Sequence, residues 1–126
     1  MKLEKTNLED CFILSPKVFE DERGTFSETF NAKKFLDQTG IAVTFVQDNE
    51  STSKYGVVRG LHFQTGVHGQ AKLVRVVKGS ALDVVVDLRK GSPSFGKSFS
   101  IVLSGENKKQ LFVPRGRSEE HTSELQ

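Results

Sequence analysis

Apolar and polar residues alternate along most of this chain in short runs broken by turn residues. A period of two is the signature of strands with one face buried. "KVFEDERGTFSETF" reads as two short strands around a turn at 21–24. "NAKKFLDQTG" is the only segment with convincing helical spacing: Asn31 stands at the N-cap, Ala32, Phe35 and Leu36 share a face, and Gly40 stops it. "IAVTFVQDN" and "GVVRGLHFQ" read as strands separated by the loop "ESTSKY". "AKLVRVVKG" and "SALDVVVDLR" are expected to form a hairpin around Lys78, Gly79 and Ser80. In its second arm Leu82, Val84, Val86 and Leu88 share one face, so the other mixes Asp83 and Asp87 with Val85. After the loop "KGSPSFG" come "KSFSIVLS", the turn "GENKK" and "QLFVPRG", which stops as a strand at Pro114. Many short strands with one short helix predict an all-β sandwich or barrel.

The 126 residues suit one domain with a single core. No apolar run approaches the roughly 20 residues of a membrane span, and "MKLEKTNLED" lacks the apolar stretch of a signal peptide. The expectation is a soluble, cytoplasmic protein with no membrane partner. Cys11 is the one cysteine, which excludes an intrachain disulfide, and it is expected to be structural. Ten Phe and no Trp point to aromatic packing, with a ring available to stack on a flat ligand.

The tail "RSEEHTSELQ" has no core periodicity. Codon by codon, AGATCGGAAGAGCACACGTCTGAACTCCAG encodes these ten residues, and that DNA resembles a widely used sequencing-library adapter. Residues 117–126 therefore read as adapter read-through and 1–116 as the domain. Without the tail's one Arg and three Glu, the 18 basic and 16 acidic residues become 17 and 13, a net charge of +4. A mildly basic chain suits an anionic small molecule. It lacks the dense Lys/Arg runs of a nucleic-acid surface, so no nucleic-acid partner is expected.

Arg59, His62 and Lys72 lie in or beside apolar strands, where a charged or titratable group is costly unless partnered or wet. "DERGTFSE", "VQDN", "VVRGLHFQ", "QAKLVRVVKG", "DVVVDLRKGSPSFG" and "ENKKQLFVPRG" together resemble the dTDP-4-dehydrorhamnose 3,5-epimerase family. The likeness runs through nearly all of 1–116 in the family's order and spacing. It implies a cupin-like jelly roll, a homodimer and a dTDP-sugar substrate. It also implies His62 as the base that removes protons beside the sugar's C4 carbonyl, and Lys72 as the group that meets the enolate oxygen. Arg59 and Arg23 are implied as diphosphate ligands, and Glu28, Gln47, Asp48 and Asn49 as nucleoside contacts. Family members place Arg23 and Glu28 close to the partner's site. The family pattern continues after "VPRG" with a "FAHGF"-type segment and further strands, from which this chain departs at Gly116, leaving the jelly roll incomplete at its C-terminal end.

The residues support that chemistry in part. Imidazole keeps a neutral fraction at cellular pH, and alternation sets His62 between Gly60 and Gln64 on one face with room for a ligand. Spacing alone leaves His62 open between a base and a ring satisfied by a backbone carbonyl. It leaves Lys72 open between an ammonium inside the lumen and one that snorkels out. Metal cupins follow H-x-H-x(3,4)-E-x(6)-G, which would put the glutamate at Lys72 and the histidines at Gly66 and His68. A cation at the glutamate position repels a metal, so no metal and no other cofactor is expected, and His68 should face solvent. Arg59 and His62 differ by three positions and would point to opposite faces of a regular strand, so an irregularity is expected at 58–61. The family's acid is a tyrosine beyond "VPRG". Tyr55, the only tyrosine here, matches no family acid and reads as structural. The chain as it stands is therefore expected to catalyse little or nothing. Two alternatives share the fold: a single-site epimerase or sugar ketoisomerase, and a non-catalytic sugar-nucleotide-binding module.

Overall fold

A computed structural model describes residues 1–55 and 71–115. The elements, in chain order, are β1 (Lys2–Lys5), β2 (Phe12–Ser15), β3 (Val18–Asp21), β4 (Gly24–Ser27), α1 (Ala32–Thr39), β5 (Lys72–Arg75), β6 (Ser80–Val86), β7 (Ser98–Ser104) and β8 (Gln110–Val113). Four strands form an antiparallel sheet in the order β1-β2-β8-β5. β6 and β7 form a second antiparallel pair, and β3 with β4 a third.

Strand parity builds two apolar layers from one sheet. Phe12 pairs with Phe112, which pairs with Leu73, and this row packs with Leu14 against Phe35 of the helix. Ile13 pairs with Leu111, which pairs with Val74, and this opposite row packs with Cys11 and Val113 against Val85 and Leu103. All four residues of β8 are buried because both faces are covered. A strand covered on both sides reads as a continuous apolar run, as "LFV" does. Cys11 is 1% exposed, and burial pushes its thiol up to about 11 even though Thr6 hydrogen-bonds to it.

The helix forms as its sequence predicts. The Asn31 side chain accepts the Lys34 N–H at 3.0 Å, and Gly40, at φ 77°, donates its N–H to the Leu36 carbonyl at 2.8 Å. Phe35 is its buried residue and meets the Phe112 ring at 4.7 Å between centroids.

Three expectations about the elements change. The hairpin of 71–89 does not form: β5 pairs with β8, and β6 with β7. A hairpin would hold both arms in one layer, whereas the half-buried Val74 and Val76 pack against the cluster of Val85 and Leu103 across the core. The chain at 76–79 instead turns the corner between layers, with Gly79 at φ 84° accepting the Gly105 N–H at 3.0 Å. Residues 41–49 form no strand: Ile41 and Val43 lie across the Phe12, Leu14 and Phe35 cluster, covering a sheet face instead of extending an edge. Tyr55, expected to be structural, is fully exposed, with no ring contact or hydrogen bond of its side chain among the described residues. The strand read at 56–64, the irregularity at 58–61 and the solvent-facing His68 lie outside the described residues.

The mixed face of β6 is the buried one, with Asp83 5% and Asp87 4% exposed. Asp87 accepts from Arg89 Nε and Nη2, both at 2.9 Å, and from the Ser92 hydroxyl at 2.7 Å. Arg89 Nη2 then donates to the Glu9 carbonyl at 2.6 Å, and the Ser94 hydroxyl accepts the Glu9 N–H at 2.8 Å. This cluster fastens the loop between β6 and β7 to the turn before β2. Burial pushes the Asp87 carboxyl up, but the Arg89 guanidinium and the Ser94 and Ser92 hydroxyls outweigh it and hold it well below the usual carboxylate range.

Candidate active site

Lys72 opens β5 opposite Val113, on the face that carries Val74 into the interior between the layers. The residue is half-buried and its Nζ is out of solvent. Burial lowers the pKa of the ammonium, and the charge of Asp83 opposes that shift. Asp83 enters the same interior from β6, directly across from Ile101 of β7. A cation kept in a low-dielectric interior acts strongly on any negative charge that develops beside it. The lysine expected to meet an enolate thus stands inside the sandwich.

The remaining residues fall in two groups. Arg23 sits at the tip of the β3–β4 hairpin, where its Nη2 and Nε reach Asp21 Oδ2 at 2.6 and 3.1 Å. That exposed pair draws the Asp21 carboxyl below its ordinary value and contributes little to stability. Glu28 stands before the helix, its Oε1 3.2 Å from Lys34 Nζ and 3.3 Å from Asn31 Nδ2, which together lower its pKa. Gln47 lines a cleft of about 670 Å³ with Ile41, Val43, Phe45, Phe112 and Arg115. Asp48 and Asn49 follow it in the exposed chain. No hydrogen bond or ion pair among the described residues joins Arg23, Glu28 and the 47–49 stretch to one another. His62 and Arg59 lie outside the described residues.

Two contributors were not anticipated from the sequence. Phe45 bridges the groups: its ring meets Phe30 edge-on at 5.2 Å, tying the segment after Glu28 to the segment before Gln47. Gln110, 2% exposed, donates Nε2–H to the Thr29 carbonyl at 2.7 Å. The sequence did hold a signal for Gln110, since alternation with Phe112 sets an amide on an apolar face. Among the described residues no helix is long and apolar enough to cross a membrane.

Layered antiparallel strands with one short helix among the described residues make the architecture a cupin-like jelly roll. Residues 5–122 match the family model of dTDP-4-dehydrorhamnose 3,5-epimerase. The chain belongs to the dTDP-4-dehydrorhamnose 3,5-epimerase family. It is 53% identical over 116 residues to the Shigella flexneri dTDP-4-dehydrorhamnose 3,5-epimerase, a match covering 92% of this chain and 64% of that protein. The crystal structure of the Elizabethkingia anophelis NUHP1 enzyme of the same name superposes with a TM-score of 0.85 at 59% identity, over 92% of this chain and 63% of that one. A dTDP-6-deoxy-D-glucose-3,5-epimerase from Legionella pneumophila Philadelphia 1, in complex with dTDP-4-keto-L-rhamnose, superposes with a TM-score of 0.82 at 47% identity, over 91% of this chain and 61% of that one. The chain thus spans somewhat under two thirds of the length of these relatives.

Proposed function

We propose that this chain is the substrate-binding part of an epimerase that acts at C3 and C5 of dTDP-4-dehydro-6-deoxy-D-glucose, giving dTDP-4-dehydro-L-rhamnose for dTDP-rhamnose biosynthesis. The observation that carries the reading is Lys72, an ammonium held out of solvent on the inner face of the sandwich, in a chain of this family. His62 takes the proton from the carbon beside the C4 ketone, and the electron pair moves onto the carbonyl oxygen. Lys72 meets the resulting negative charge. Return of a proton from the opposite face inverts the centre, and because no oxidation state changes, neither step calls for a redox cofactor. Arg59 and Arg23 hold the diphosphate as planar forks, while Glu28 and the 47–49 stretch take the nucleoside. The ligand named for the Legionella relative is a dTDP-sugar of this type.

The same reading makes the protein a homodimer. Phe19 and Phe26 face each other across the β3–β4 ribbon, 54% and 72% exposed, and among the described residues these strands pair only with each other. An isolated two-stranded ribbon is marginal in water, and a second copy would cover those rings. Incubation of the 4-keto sugar nucleotide in deuterated buffer with a chain continued to the length of its relatives should exchange the hydrogens at both C3 and C5. Exchange at neither carbon refutes the reading, and exchange at one alone makes the protein a single-site epimerase.

A further inference from the structure

We propose that Gln110 is a positioning residue for the nucleotide: its hydrogen bond to the Thr29 carbonyl fixes the crossover from β4 to α1, and so the place at which Glu28 is presented. This rests on the nucleoside-contact reading of Glu28. Gln110 opens β8, lies between Leu14 and Arg75 in the ladder, and shares its sheet face with Phe112 against the helix. An apolar side chain of the same volume would pack there without any polar cost. Instead Nε2 donates to the Thr29 carbonyl at 2.7 Å, while Oε1 accepts no hydrogen bond among the described residues. Half an amide buried without a partner is unfavourable, so the donor half must supply what an apolar residue cannot. A carbonyl can only accept, which forces the orientation of the amide.

That bond fixes the Thr29–Phe30 peptide, one residue beyond Glu28, from a strand 81 positions further along the chain. Asn31 and Lys34 then hold the Glu28 carboxylate from the other side. Phe30, the next residue, carries the register to Phe45 and thereby to Gln47. One hydrogen bond thus indexes both nucleoside-contacting stretches to the same sheet.

The test is calorimetric titration of the 126-residue chain with thymidine diphosphate, for the wild type, Gln110→Met, Gln110→Glu, Glu28→Gln and the double variant Gln110→Met with Glu28→Gln. Gln110→Met keeps the volume and removes the donor. It should weaken binding about fivefold when Glu28 is present and less than about twofold when Glu28 is already Gln, the non-additivity of residues acting as a unit. Gln110→Glu, which turns an acceptor toward the Thr29 carbonyl, should weaken binding at least as much. Equal losses in both Glu28 backgrounds, or no loss in either Gln110 variant, overturn the proposal. Failure of the wild type to bind would sink the nucleotide reading instead, and the positioning claim is then decided by the Glu28 carboxyl followed by NMR. Lys34 and Asn31 hold that carboxyl below the usual glutamate range, and it should return toward that range in Gln110→Met. Identical titration in both chains refutes the claim.

Discussion

Asp83 and Asp87 are two residues of the same type on the same strand face with different uses. Asp83 contributes its charge to Lys72, whereas Asp87 is consumed by Arg89, Ser92 and Ser94. The local part of the Asp87 cluster is written in "DLRKGSPS", but its tie to Glu9 crosses the molecule. Replacing Asp87 by Asn would leave the buried guanidinium uncompensated, and should cost about 3–5 kcal/mol in urea unfolding at neutral pH. The folded-state pKa of Asp87 lies below that of an unfolded aspartate, about 3.9. Its stabilising contribution is therefore complete above that value and is lost as pH falls through the folded one. The stability gap between wild type and Asp87→Asn should narrow as the solution is acidified below about pH 4, and a gap independent of pH would refute the assignment.

Among the elements, the helix was legible because its caps and its one buried ring are local signals. The β5–β6 hairpin was not, because turn chemistry around Gly79 fits a corner between layers as well as a reversal within one. What chose the corner was the packing of Val74 and Val76 against the facing layer. The corner also constrains the turn after β7, where a Cβ on Gly105 would lie 2.6 Å from the Val77 carbonyl oxygen. That neighbour is backbone and cannot swing aside. Gly105→Ala should lower stability by about 1–3 kcal/mol, seen as a lower thermal midpoint with the helical circular dichroism signal unchanged. An unchanged midpoint would mean that the corner is looser than its hydrogen bond implies.

At the scale of the whole molecule, the ribbon's exposed rings make assembly testable. Phe26→Lys should shift the sedimentation-equilibrium mass of a relative-length chain from two copies to one, because the like charges of two copies cannot share an apolar contact. An unchanged dimer would move the interface elsewhere. We also propose that 117–126 derive from adapter DNA, although the family match runs six residues past Gly116. Genomic sequence after the Gly116 codon decides it, and an open frame with a "FAHGF"-like segment and a tyrosine-bearing strand is the expected result. By itself the sequence determined the strand class, the helix and its limits, and the family. Periodicity and caps are local and survive in one dimension. Only the tertiary structure decided which strands pair, which face of β6 is inside, and that Gln110 reaches Thr29. Those outcomes depend on which apolar faces find each other across the core, a competition between segments distant in sequence.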